Sequence, residues 1–158
     1  MTLGDMMKQT EVKDKIRIMG KVTATVRDAK TGKILEVIPG KNLVTNDGEA
    51  LFMKWMNGEA PDYISHCAVG SDDTAPAEGD STLTAEIDRV AITAQVRVGA
   101  KITYSTFFGI TDANGVWKEE GLLNAAVAGT LVSHTLFAAP ITKDLTKTIS
   151  VDHELEII

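Results

Sequence analysis

The sequence predicts an all-β fold, an antiparallel β-sandwich or jelly-roll-like arrangement with one short α-helix near residues 46–57. Three observations carry this. Apolar and polar residues alternate with period two in several stretches, most clearly at Ile16–Arg27, Val90–Val98 and Ile149–Ile157. Glycine-containing turns separate those stretches at short spacing, and only one segment has apolar residues at helical spacing.

In chain order, residues 1–15 (MTLGDMMKQTEVKDK) mix charges with scattered methionines and show little apolar periodicity. They are expected to form a flexible N-terminal arm, with Leu3, Met6 and Met7 as apolar anchors for a neighbouring subunit. Residues 16–158 are expected to form one β-sandwich domain. Ile16, Ile18, Val22, Ala24 and Val26 share one side of a first strand, and Arg17, Lys21, Thr23, Thr25 and Arg27 the other. Asp28–Gly32 supplies turn chemistry, and Lys33–Ile38 returns as the second strand of a hairpin. Pro39-Gly40 is expected to end it. Asn46 then reads as the N-cap of the helix, with Glu49 reaching back in a capping box and Gly58 as its stop. Leu51 with Trp55 and Phe52 with Met56 give that helix its apolar face.

Tyr63–Val69 reads as a buried strand and Gly70–Ser81 as a long solvated loop. Leu83–Asp88 is expected to make one helical turn. Val90, Ile92, Ala94, Val96 and Val98 then share one side of a strand that Gly99 turns back into Ile102, Tyr104, Thr106 and Phe108. Asp112–Gly115 carries an Asn-Gly hairpin signal. Thr130–Phe137 suits a strand buried on both faces. In the last strand Ile149, Val151, Leu155 and Ile157 alternate with polar residues, and His153 interrupts the apolar row.

The chain has 158 residues, enough for a core without disulfides or structural metal. Its 16 Lys plus Arg against 22 Asp plus Glu leave a net charge of -6, which opposes phosphate-backbone binding and makes nucleic acid an unexpected partner. No apolar stretch is long enough to span a bilayer, so no membrane association is expected, and no secretion signal is legible. Cys67 is the single cysteine and reads as a buried thiol.

Groups that could carry chemistry are scattered. Asp72, Asp73, Glu78 and Asp80 offer oxygen ligands that could suit calcium, but without EF-hand spacing, so a solvated loop or subunit contact is preferred. His66, His134 and His153 lack zinc-site spacing, and His66 and Cys67, as strand neighbours, point to opposite faces. Glu119-Glu120 is the nearest approach to paired carboxylates. Nucleophile-elbow and phosphate-loop motifs are missing, so neither an enzyme nor a cofactor is expected. Tyr63 and Trp117 are the aromatics that could form a glycan platform. For Trp117 a role as an edge residue covering the sheet ranks first.

KNLVTNDGEALFMKWMNG, YISHCAVGSDDTAPAEGDSTLTAEIDRVAIT, KITYSTFFG, EEGLLNAAVAGTLVSHTLFAAPITK and ISVDHELEI together resemble a group of small tailed-bacteriophage virion proteins and tail-fibre-associated domains. The shared order is N-L-V-T-N-x-G, A-x-G-x-x-x-x-A-P, L-x-x-E-x-x-R and E-x-G-L-x-N, and the resemblance covers nearly everything after Gly20. It implies a non-enzymatic structural component of a phage particle, made in the host cytoplasm and residing in the virion as a head decoration or a tail or neck accessory. It also implies a homo-oligomer around a symmetry axis, a trimer being one form, with other virion proteins as partners. The alternative is a carbohydrate-binding module used for host attachment.

Overall fold

The computed structural model describes residues 1–9 and 16–158 of the chain. The order of elements is α1 (Leu3–Gln9), β1 (Ile18–Asp28), β2 (Ile34–Val44), α2 (Asn46–Met56), β3 (His66–Gly70), β4 (Glu86–Ala91), β5 (Ala94–Val98), β6 (Lys101–Phe108), β7 (Gly115–Leu123), β8 (Leu131–Lys143) and β9 (Lys147–Ile157). All strand pairings are antiparallel, in one nine-stranded sheet ordered β4-β3-β7-β8-β2-β1-β9-β6-β5. The predicted all-β antiparallel class is what the chain adopts.

The sheet curls strongly. β7 and β9 stand four places apart in the strand order, yet Glu120 on β7 and His153 on β9 are in hydrogen-bond contact across the interior. The two ends of the order are joined by only Ile92 and Thr93. The Ile92 N–H donates to Ser65 O beside β3, and the Thr93 N–H donates to Ser105 O on β6. The expected single strand through residues 90–98 is therefore one extended run that changes partner midway, a device that turns corners in packed β structures. Period-two alternation reports extension and says nothing of which strand lies alongside.

The interior is filled from the inward positions of this curl. Val22, Ala24 and Val26 on β1, Ile149, Val151 and Leu155 on β9, Tyr104 and Phe108 on β6, and Trp117 and Leu122 on β7 are all buried. Each fully buried side chain of this size contributes about 1.5–3 kcal/mol of transfer free energy. His153 completes the inward row of β9 and is fully buried. Burial also pushes the Tyr104 hydroxyl up to about 12. A second apolar group, Ala68, Leu83, Leu123 and Leu131, lies on the opposite face of β3, β7 and β8 beneath the loop of residues 71–85. Those strands are thus covered on both faces, which explains why five successive residues of β8, Leu131 to Thr135, are all buried.

Several local expectations change. The cap of α2 is Thr45, not Asn46: its Oγ1 accepts the Gly48 N–H at 2.9 Å and donates to Leu131 O at 2.6 Å. A side chain that also ties the helix to β8 outcompetes one that only caps. Gly58, at φ 76°, follows the helix as expected. β2 runs through Pro39 and Gly40 to Val44, because pairing with β8 begins only at Gly40 and leaves Pro39 where that side of the strand is open. Residues 84–85 make a turn before β4 in place of a helical turn. The chain turns at residues 109–112, where the Asp112 N–H donates to Gly109 O, and Ala113 follows at positive φ before β7 opens at Gly115; β6 and β7 do not pair, so the expected Asn-Gly hairpin at Asp112–Gly115 is a crossing. β3 starts at His66, and Tyr63 is exposed.

Part of the expected arm is the seven-residue helix α1. Thr2 caps it, accepting the Asp5 N–H through Oγ1 while its own N–H donates to the Asp5 carboxylate. Leu3 and Met6 are exposed. Met7 lies on the same helix, its side chain outside the described part, and residues 10–15 of the expected arm lie outside the described residues.

Candidate functional site

Glu119 and Glu120 are consecutive on β7, and period two sends them to opposite faces. Each becomes the centre of a buried polar cluster, and both are fully buried.

Glu119 faces the loop. Its Oε1 accepts the Thr84 N–H at 2.8 Å and its Oε2 accepts the N–H groups of Asp72 at 3.0 Å and Ala85 at 2.9 Å. Nε2 of His134, on the neighbouring β8, stands 2.9 Å from Oε1. The other ring nitrogen, Nδ1, is 2.7 Å from Asp80 Oδ2, which also accepts the Ala77 N–H. One carboxylate therefore fixes both ends of the loop, and His134 ties down its middle. Burial opposes ionisation of Asp80, but the Ala77 N–H and His134 outweigh it and hold the carboxyl below its ordinary range. Gly70 leaves the space this cluster needs, since a Cβ there would lie 2.7 Å from Glu119 Oε2, and Gly121 beside it lets Leu83 and Leu131 pack close, a Cβ there lying 2.7 Å from Leu131 Cδ1.

Glu120 faces the core. Its Oε1 and Oε2 lie 2.9 and 3.1 Å from His153 Nδ1, and the Cys67 thiol donates to Oε1 at 3.3 Å. Ser133 Oγ is 3.4 Å from His153 Nε2. Burial, then the adjacent Glu120 charge, pushes the Cys67 thiol well above its ordinary value, so it stays a protonated donor and not a nucleophile. Both glutamates are spent on holding groups of the protein itself.

The remaining expected site residues do not converge. Asp72 Oδ1 accepts the Thr74 N–H, the Thr74 side chain and then its main chain lower the Asp72 pKa, and the Asp73 carboxylate is 3.9 Å from Lys118 Nζ. Glu78 is exposed and uses its main-chain carbonyl to accept the Asn46 N–H. With Asp80 turned to His134, the carboxylates of Asp72, Asp73 and Asp80 address different partners. Among the described residues no group of three or more His, Cys, Asp or Glu side chains is placed to hold a metal ion. The His66 ring lies 2.8 Å from Ser65 Oγ through Nδ1. Trp117 is 0% exposed, its Nε1 donating to Ala113 O and its ring meeting Phe108 edge-on at 4.7 Å. It is a core residue, neither an edge cover nor a surface platform. Tyr63 is 76% exposed, with its ring 5.7 Å from that of Trp55.

Sequence reasoning missed Thr45, the Glu119–His134–Asp80 clamp and the Glu120–His153–Cys67 cluster. A signal was present: charged and imidazole residues inside apolar runs, as in E-E-G-L-L and L-V-S-H-T-L-F, mark buried polar groups that require partners. No protein-family profile, curated protein or solved structure matches this chain. No described helix is long and apolar enough to cross a membrane.

Proposed function

We propose that the chain is a non-enzymatic structural subunit of a tailed-bacteriophage particle, assembling as an oligomer on the exterior of the head or as a tail or neck accessory. The observation that supports this best is that the motif letters behind the phage resemblance hold the subunit together. In N-L-V-T-N-x-G, Asn42 Oδ1 accepts the Thr135 hydroxyl, Thr45 caps α2, and Gly48 lies where a Cβ would meet Val132 O. In A-x-G-x-x-x-x-A-P, Ala68 packs with Leu83, Leu123 and Leu131, and Gly70 makes room for Glu119.

In L-x-x-E-x-x-R, Leu83 belongs to that cluster and Glu86 pairs with Arg89 at 2.8 Å. Arg89 in turn donates to the carbonyls of Ala125 and Ala128. In E-x-G-L-x-N, Glu119 clamps the loop, Leu122 fills the core, and Asn124 accepts the Thr130 N–H while donating to Asp62 O. Residues that recur in order because they form one interlocked unit are the signature of a scaffold. A catalytic site instead keeps polar groups open to a substrate. The net charge of -6 favours a position away from packaged nucleic acid.

The test is an image of purified particles labelled by an antibody to this chain. Label at a fixed head, neck or tail position supports the reading, and unlabelled intact particles overturn it. A second reading, a carbohydrate-binding module for host attachment, draws on the exposed Tyr63 ring beside Trp55. A glycan array on which the wild type gives a signal and Tyr63→Ala does not would favour it.

A further inference from the structure

We propose that copies of this chain join head to tail by strand addition, the free edge of β5 in one copy pairing antiparallel with the open first half of β2 in the next. This deepens the assembly reading above and rests on its claim that the subunit is oligomeric.

Several strand edges lack a backbone partner among the described residues, the outer side of β4 and one side of β8 beyond Phe137 included, and two of them match each other. β5 pairs only with β6, and all five of its residues are exposed. β2 pairs with β1 from Ile34 to Lys41, with a bulge at Leu35, but β8 joins it only from Gly40 onward. Its first four residues, Ile34–Val37, are exposed and its other side is open there. Open edges are templates for pairing with another chain, and natural proteins usually blunt them with charge, proline or cover. Here each carries exposed apolar residues beside a single charge: Ile34, Leu35 and Val37 on β2, and Val96 and Val98 on β5.

The two edges complement each other in charge as well as length. Each carries one ionised residue flanked by apolar ones, Glu36 between Leu35 and Val37, and Arg97 between Val96 and Val98. Setting Glu36 opposite Arg97 in an antiparallel register places Val37 opposite Val96, with Val98 beside the bulge at Leu35. The faces agree. Val37 pairs with Thr25, and Val96 with Thr103, both on the outward side, while Glu36 and Arg97 pair with the inward-phase Val26 and Ile102. The joint would thus carry the Val37–Val96 apolar pair on one face and an ion pair on the other. Glu36 makes no ion pair among the described residues, and the Arg97 guanidinium reaches only the carbonyl of Gly99. A second copy is the occupant because this chain itself holds both halves of the match. Since the two edges differ, the contact is heterologous and propagates to a ring or an open filament.

The experiment is sedimentation of the full chain and of the exposed-site variants Glu36→Arg, Arg97→Glu and the double reversal, with circular dichroism confirming that each remains folded. Each single reversal puts like charges together and is expected to weaken self-association about tenfold or more, with the double variant restoring it. A monomeric wild type, or single reversals that associate like the wild type, would overturn the proposal, as would a double variant no better than either single. A complementary arm mixes Val37→Cys with Val96→Cys, the native Cys67 being buried. A disulfide between the two variants is expected, whereas Val96→Cys bridging only to itself would show two-fold β5 pairing and overturn the proposal. If particles carry the chain but the reversals have no effect, the edge pairing fails and the virion reading stands. If the reversals behave as expected but particles lack the chain, the opposite holds.

Discussion

Replacing Glu119 by glutamine keeps size and shape but swaps one carboxylate oxygen for an amide nitrogen. In the native protein Oε1 serves the Thr84 N–H and His134, and Oε2 serves the N–H groups of Asp72 and Ala85. With the glutamine oxygen placed at Oε1, its NH2 faces two main-chain donors, and both lose their acceptor. A buried donor left unpaired costs about 1–3 kcal/mol, and hydrogen bonds to a charged acceptor are the stronger kind. Asp72 and Ala85 are half-buried, so water can recover part of the loss. The expected destabilisation is therefore about 2–4 kcal/mol, a large share of the ~5–15 kcal/mol typical of a domain. For a domain of this size, that lowers Tm by roughly 4–16 °C. Urea denaturation gives the free energy, and hydrogen exchange at Asp72, Thr84 and Ala85 locates it. A loss below about 1 kcal/mol with unchanged protection at those amides would refute the clamp.

Removing the α2 cap with Thr45→Ala is expected to cost about 1–2 kcal/mol in urea denaturation, with Thr45→Ser retaining most of it. Equal losses in the two variants would contradict the role given to Oγ1. Gly48→Ala places a Cβ 2.3 Å from Val132 O and is expected to destabilise by about 1–3 kcal/mol, so an unchanged Tm would count against the close helix–strand approach. Asp80 has a lowered folded-state pKa, so its contribution is present above the unfolded value near about 4 and is lost as pH falls through the folded value. Asp80→Asn should flatten the acid limb of Tm against pH, and limbs that superimpose would argue against it. The Cys67 thiol, buried and held protonated, should react with a thiol reagent only at the rate of opening and at once in denaturant; rapid native labelling would contradict its placement.

Much of the fold is legible because alternation is a direct consequence of burying one face. Ile18–Val26 and Ile149–Leu155 show this, and they pair with each other as β1 and β9. What alternation lacks is partner identity. Ile92 and Thr93 read as the middle of a strand, although the chain changes neighbours there. Trp117 near an Asn-Gly pair suggested a surface ring, but the turn is a crossing between strands that do not pair, and the ring falls inward. The clamp was the least accessible feature. Glu119 takes hydrogen bonds from positions 34 to 47 residues away, and His134 reaches Asp80 over 54, separations that no local pattern encodes. Of its members only Glu119 is a letter of the four motifs, and Asp80 and His134 lie outside them.

The most direct measurement for the central claim, that these residues build a particle subunit and not a reactive site, is the copy number of the chain in purified phage particles by quantitative mass spectrometry. The account predicts a fixed number of copies per particle, in a ratio to a major head or tail protein that a symmetric assembly allows. Particles that are infectious, intact and free of the chain would contradict it.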